Sequence, residues 1–136
     1  MYRGNALIPS AGILMPGDRD RFVIGSSYKS DIFYKDGARI RPEHGKIFFP
    51  YGKEAGRLEL CSLQGVSANL KEGERKSFEK GADGNHVLFL SYGDEIRIFG
   101  LWIRYYETFL MAGAWYGDMR LSVNGGERRD VIAPHR

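Results

Sequence analysis

The fold is indicated most clearly by the segment Phe22-Val23-Ile24-Gly25-Ser26-Ser27-Tyr28-Lys29-Ser30-Asp31-Ile32, together with Arg41-Pro42-Glu43-His44 further along the chain. The apolar triplet at its start predicts a strand that ends at Gly25, where the backbone must turn sharply or approach another segment closely. A polar loop follows, and a second extended run begins at Asp31. We therefore expect a loop at one end of a β-sandwich, where such a scaffold presents its binding groups.

Outside this stretch the chain has the pattern of an all-β protein. Residues 57–60 and 95–99 alternate polar and apolar side chains, which is the period of a strand with one buried face. Turn signals separate about ten short strands at intervals of about eight to twelve residues, and no segment has convincing helical periodicity. We predict an all-β fold, a two-sheet β-sandwich of about ten or eleven strands.

The domain organisation follows from length and from where the apolar residues stop. A chain of 136 residues is long enough for one domain with a sizeable core. Apolar density falls after residue 116, apart from Met119 and Leu121, and residues 124–130 resemble a linker in composition. We predict that the sandwich covers residues 1–116 and that residues 117–136 form a C-terminal tail or linker.

Charge and cysteine content exclude several classes of function. The net charge is only +3, with basic and acidic residues interleaved, so a nucleic-acid partner is not expected. The single cysteine, Cys61, allows no intrachain disulfide and no Cys/His zinc site, and we expect it to be largely inaccessible and packed as a small apolar residue. No signal peptide is predicted at the N-terminus. No membrane span is predicted either, because Arg104 and Glu107 interrupt the longest apolar region. These features favour a cytoplasmic protein.

Five short pieces of the sequence, from about Phe22 to Tyr106, occur in the order and spacing of the forkhead-associated (FHA) domain. The family has an Ile-Gly-Arg turn, then Asp-Ile, then Ser-x-x-His, and later an Asn-Gly pair and a Gly-Asp-x-Ile turn. The corresponding residues here are Ile24-Gly25, Asp31-Ile32, His44, Gln64-Gly65 and Gly93-Asp94-Glu95-Ile96. The resemblance implies a β-sandwich of ten or eleven strands that binds phosphothreonine peptides through loops at one end.

The departures from the family pattern fall on the residues that contact the phosphopeptide. Ser26 stands where the family has the phosphate-binding Arg, Arg41 stands where it has Ser, and Gln64 replaces the Asn that steadies the peptide backbone. A serine hydroxyl cannot make the two-pronged, charged contact of a guanidinium. Carried over by position, the site equivalents are Ser26, Ser27, Lys29, Arg39, Arg41, Gln64 and Gly65. The resemblance gives Gly25, His44 and Asp94 structural roles.

A second resemblance covers the run from Gly93 to Ile103, which matches the pattern Gly-Asp-x-Ile-x-x-x-Gly-Leu-x-Ile. This pattern is similar to the end of the degenerate FHA domains at the N-terminus of FtsK/SpoIIIE-type ATPases of type VII secretion systems. In that setting the module lies in the cytosol, ahead of membrane spans and motor domains. The chain itself has no Gly-x-x-x-x-Gly-Lys-Ser/Thr phosphate loop.

Three functions are compatible with these patterns. The first is a non-enzymatic FHA-like module that binds a protein or peptide partner through a degenerate phosphothreonine site, as the cytosolic part of a larger secretion ATPase. The second is a phosphothreonine reader in signalling that uses Arg39, Arg41 and Lys29 for phosphate. The third is an enzyme, which is disfavoured because the sequence has no catalytic or metal-ligand spacing. We predict the first, with no cofactor and no metal.

Overall fold

A computed structural model of the protein describes residues 10–51, 53–71, 76–123 and 127–130. These residues contain no helix that is long and apolar enough to cross a membrane. They form the strands β1 (Ser10–Leu14), β2 (Arg21–Gly25), β3 (Ile32–Lys35), β4 (Gly45–Phe48), β5 (Arg57–Leu60), β6 (Val66–Asn69), β7 (Glu79–Lys80), β8 (His86–Phe89), β9 (Glu95–Ile98), β10 (Leu101–Tyr105), β11 (Leu110–Ala114), β12 (Asp118–Val123) and β13 (Glu127–Asp130).

The strands belong to two sheets. The five-stranded sheet has the order β1-β11-β10-β9-β6, and the eight-stranded sheet has the order β13-β12-β3-β2-β4-β5-β8-β7. Every pairing is antiparallel except that of β2 with β3, which are parallel with Ile24 opposite Ile32. The prediction of an all-β, two-sheet sandwich is confirmed, with a few more strands in the described part of the chain than the ten or eleven counted from turn signals.

Alternation along the strands builds the core between the sheets. In β5, Leu58 and Leu60 are completely buried while Glu59 is half-buried on the other face. In β9, Ile96 and Ile98 are buried in the same way from the opposite sheet. Buried side chains of both sheets form one continuous apolar cluster, so a single core holds the sandwich together.

A buried tyrosine connects the sheets at one end of the sandwich. The Tyr34 hydroxyl, from β3, accepts a hydrogen bond from the Gly100 N–H (3.0 Å) and donates one to the Tyr116 carbonyl (3.0 Å). Burial raises the pKa of Tyr34 to about 12. The turn between β9 and β10 is thereby fixed against the eight-stranded sheet.

The eight-stranded sheet extends beyond the domain boundary that we placed at residue 116. Strand β12 pairs with β3, and its residues Met119 and Leu121 are buried in the core. The boundary is therefore corrected, because residues 118–123 belong to the sandwich. The backbone of β13 pairs with β12 in turn, and residues 131–136 of the predicted tail lie outside the described part of the chain.

Candidate functional site

Three loops meet at one end of the sandwich, and we call this surface the apex: residues 26–31, 36–44 and 61–65. Strands β2 and β3 run parallel and both end there, whereas β4 runs antiparallel to β2 and begins there. Strand β5 is antiparallel to β4 and ends there as well. The strand directions alone therefore bring together all seven residues that the sequence analysis placed in the binding site.

The first two loops are joined along a backbone seam beside Gly25. The Ser26 N–H donates to the Arg41 carbonyl (2.9 Å) and the Ser27 N–H to the Pro42 carbonyl (3.2 Å). A Cβ atom on Gly25 would lie 2.7 Å from the Pro42 carbonyl carbon and closer still to its oxygen. Only glycine fits between the two segments, so Gly25 has a structural role at this close approach.

The serine hydroxyls of the apex are already used within the protein. Ser26 Oγ donates to the Ile40 carbonyl (2.9 Å), and Ser30 Oγ donates to the Pro42 carbonyl (3.2 Å). Ser27 Oγ accepts the Lys29 N–H (3.2 Å). The hydroxyl that stands at the phosphate-binding position of the resemblance therefore holds two loops together and does not point a free donor at a ligand.

His44, from a buried position, connects the second loop to strand β2 and to the third loop. Its ring Nδ1 accepts a hydrogen bond from the main-chain N–H of Arg41 (3.1 Å). Its main-chain N–H donates to the Ile24 carbonyl (2.8 Å), and its main-chain carbonyl accepts the Cys61 N–H (3.0 Å). Burial, and then the charge of Arg41, lower the pKa of His44. The ring is neutral with its proton on Nε2, because Nδ1 must act as an acceptor.

The three candidate cations of the apex have different surroundings. Arg39 forms an ion pair with Asp36 (3.6 Å), and its guanidinium lies 5.0 Å from the centre of the Phe99 ring. Lys29 and Arg41 are exposed, and no acid among the described residues pairs with either side chain. Positive charge for a ligand is therefore available from Lys29 and Arg41, while Arg39 is held by its neighbours.

Gln64 and Gly65 are brought beside the second loop through Phe99. Gly65 has a positive φ of 72°, its carbonyl accepts the Phe99 N–H (2.9 Å), and a Cβ atom there would lie 2.6 Å from Cδ1 of that ring. Arg39 contacts the same ring. The Gln64 side chain is exposed, so it is free to meet a partner at the rim of the apex.

Asp94 lies at the opposite end of the sandwich, where β9 begins. Its buried carboxylate accepts the Ser91 N–H (2.8 Å) and the Lys71 N–H (3.0 Å) and pairs with Lys76 Nζ (2.7 Å). These contacts hold the turn between β8 and β9 against the end of β6. Asp94 therefore acts in the framework and takes no part in the apex.

Two features at the apex end of the sandwich were not predicted from the sequence. Asp31 is buried and binds Arg19 through both carboxylate oxygens, and it accepts the Val23 N–H (2.8 Å). A lone acid between a polar loop and an apolar strand was the available signal. Two exposed aromatic side chains also lie at the apex end, Tyr28 in the first loop and Trp115 after β11. The main-chain N–H of Trp115 donates to the Gly100 carbonyl (2.8 Å).

Cys61 is intermediate in exposure and lies outside the apolar core cluster, whereas the sequence predicted a largely inaccessible side chain packed as an apolar residue. Strand β5 ends at Leu60, so the alternation that buries a side chain does not continue to the next residue. Cys61 is partly exposed, with its Sγ 3.7 Å from Nδ1 of His44. The thiol therefore lies at the edge of the apex and not in the core.

The apex presents exposed polar and charged side chains on an ordered framework. Within the described residues, no group of three or more His, Cys, Asp or Glu side chains is placed to hold a metal ion. The ordered histidine, the seam and the exposed Lys29, Arg41 and Gln64 side chains offer contacts to a macromolecule. Comparisons with protein-family models, with curated proteins and with solved structures found no match to this chain.

Proposed function

We propose that the protein is a non-enzymatic interaction module of FHA-like type, whose apex binds a protein or peptide partner without requiring phosphothreonine. One observation carries this proposal: Ser26, at the phosphate-binding position of the resemblance, donates its hydroxyl to the Ile40 carbonyl. The adjacent main-chain N–H groups of Ser26 and Ser27 are used in the seam. A phosphate at this point would meet few free donors.

Energetics favour the same conclusion. A charged hydrogen bond contributes about 1.5–3 kcal/mol, and a phosphate site needs several such donors aimed at one point. Arg41 begins where the family needs a short hydroxyl, and its own N–H is already donated to His44. The remaining charges, on flexible and exposed side chains, give each ion pair only about 0–1 kcal/mol.

The apex instead has the composition of a protein-binding surface. Interfaces are enriched in aromatic residues and arginine, and their centres are ordered before binding. Tyr28 is 74% exposed beside Lys29, and Arg41 and Gln64 lie on the neighbouring loops. The seam and His44 hold these loops in one arrangement, which lowers the entropic cost of binding.

A second candidate, the phosphothreonine reader, is favoured by one specific observation. Lys29 and Arg41 have no acidic partner in the described part of the chain, and their loops meet along the seam. These two cations are the ones that would hold a phosphate in that case. Arg39 would contribute less, because Asp36 and Phe99 already engage it.

We further propose that the module is the cytosolic part of a larger FtsK/SpoIIIE-type secretion ATPase that is anchored in a membrane. The support is the resemblance of residues 93–103, most of which form the β9–β10 hairpin. The full gene product tests this directly: membrane spans and a phosphate loop encoded after Arg136 are expected. A complete gene without them contradicts this placement and leaves the apex proposal standing.

A paired peptide array tests the apex proposal. Each threonine peptide is presented with and without phosphate and probed with the wild-type protein, with Arg41→Ala and with Lys53→Ala, an exposed lysine at the opposite end of the sandwich. We expect the same peptides to bind in both forms, and binding to fall for Arg41→Ala but not for Lys53→Ala. Binding confined to phosphorylated peptides would establish the second candidate instead.

A further inference from the structure

The β6 strand is one edge of the five-stranded sheet, and part of its backbone faces outward. Gly65 and Phe99 are opposite each other and joined by a hydrogen bond, so the alternation of an antiparallel ladder directs the main-chain groups of Ser67 and Asn69 toward β9. The N–H and carbonyl groups of Ala68 then point away from β9. Among the described residues, no other strand pairs with this side of β6.

An apolar groove of about 320 Å³ runs along this edge, in the gap between the two sheets. Its apolar lining consists of Leu63, Val66, Ala68, Leu70, Phe78 and Leu88. Val66 and Leu70 pack against the core, so Ala68 between them has its side chain on the core face. It is nevertheless exposed, because its methyl group is too small to fill the space.

The two ends of the groove indicate what kind of chain fits it. Leu63 lines one end and is followed directly by Gln64, so the groove is continuous with the apex. The other end is close to Lys71, because the main-chain N–H of Lys71 and the side chain of Lys76, which lines the groove, both contact the Asp94 carboxylate. Lys71 is exposed, and no acid among the described residues pairs with its side chain. Main-chain groups that point outward from the sheet, an apolar dent and a terminal cation match an extended peptide with an aliphatic and an acidic residue.

We propose that β6 and this groove bind an extended, unphosphorylated segment of a partner protein. The segment adds to the five-stranded sheet as a sixth strand, inserts an aliphatic side chain over Ala68 and places a carboxylate beside Lys71. This inference rests on the proposed function, because the same partner would continue from the apex past Gln64. Main-chain hydrogen bonds give such a site affinity, and the pocket for alternate side chains gives it specificity.

The test uses peptides selected from a phage-displayed random library against the wild-type protein. Their dissociation constants are measured by fluorescence anisotropy for wild type, Ala68→Pro, Ala68→Leu, the apex variants Arg41→Ala and Gln64→Ala, and the control Asn69→Ala. Proline removes the outward N–H without touching the ladder to β9, and leucine fills the dent from within. A thermal melt of each variant shows that it is folded, and Ala68→Leu keeps the test valid if proline unfolds the edge.

We expect the selected peptides to carry an aliphatic residue and an acidic residue. They should lose at least about tenfold in affinity on both Ala68 substitutions and stay within about twofold on Asn69→Ala. A library that yields only peptides insensitive to Ala68 overturns the inference. Peptides that depend on Arg41 or Gln64 but not on Ala68 would refute this groove and leave the apex proposal intact. A library that yields no binder, together with a paired peptide array that binds only in its phosphorylated form, would refute the proposed function itself. A wild-type dimer in sedimentation that Ala68→Pro dissociates would assign the edge to a second copy of the chain and overturn the partner segment.

Discussion

The seam at Gly25 gives the sharpest test of how the apex is built. In Gly25→Ala the new Cβ would lie 2.7 Å from the Pro42 carbonyl carbon and 3.0 Å from Ser30 Oγ. Real Cβ atoms essentially never lie under 3.0 Å from such a neighbour, so the segment around Pro42 must move away. That movement stretches the two seam hydrogen bonds from Ser26 and Ser27.

The expected cost follows from these two effects. Overpacking costs about 1–3 kcal/mol and two weakened hydrogen bonds cost about 0.5–1.5 kcal/mol each, so Gly25→Ala should lower the free energy of unfolding by about 2–6 kcal/mol. Urea denaturation measures it, with an unchanged slope showing that the unfolded state is unaffected. The matched control is Gly81→Ala, whose Cβ would lie 3.3 Å from a flexible Asp83 side chain and should cost less than about 1 kcal/mol. A Gly25→Ala protein within about 0.5 kcal/mol of wild type would refute the close approach.

Three further predictions concern single side chains. The lowered pKa of His44 means that the unfolded chain takes up the proton first, so stability present above about pH 6.5 is lost as the pH falls through the folded pKa. Urea titrations of His44→Gln should show a smaller dependence of stability on pH below about pH 6.5, and an equal dependence would contradict the buried acceptor. Tyr34→Phe leaves the Gly100 N–H without its partner and should lower the free energy of unfolding by about 1–3 kcal/mol, measured by thermal and urea unfolding, whereas a neutral result would exclude the clamp. Cys61 should react with a thiol reagent in the native state much faster than the protein unfolds, and protection until global unfolding would place it in the core.

The sequence predicted the parts of the fold that depend on local pattern. Alternation located β5 and β9, and the apolar triplet before Gly25 located β2. The sequence predicted a tail where β12 lies. Met119 and Leu121 do alternate with polar residues, but two apolar side chains do not show which sheet covers them. Its burial depends on β3, which is distant in the sequence.

The sequence predicted that the candidate residues lie at one end of the sandwich, but it did not predict their contacts. Spacing brought Ser26, Arg41 and Gln64 to one end, because strand direction fixes where each loop emerges. The contact of Arg39 with Phe99 depends on the position of the turn between β9 and β10, which no local pattern around Arg39 specifies. The same limit applied to Cys61, because alternation does not show where a strand ends.

Titration calorimetry can measure whether the apex binds its partner without phosphate. A degenerate phosphothreonine peptide library and its unphosphorylated counterpart are titrated into the wild-type protein and into Arg41→Ala. Because Ser26 is committed to Ile40, we predict affinities for the two libraries that agree within about twofold. One restored charged hydrogen bond would be worth about 1.5–3 kcal/mol, or about ten- to 150-fold. A preference of that size for the phosphorylated library, lost in Arg41→Ala, would show instead that the apex recognises phosphate through Arg41.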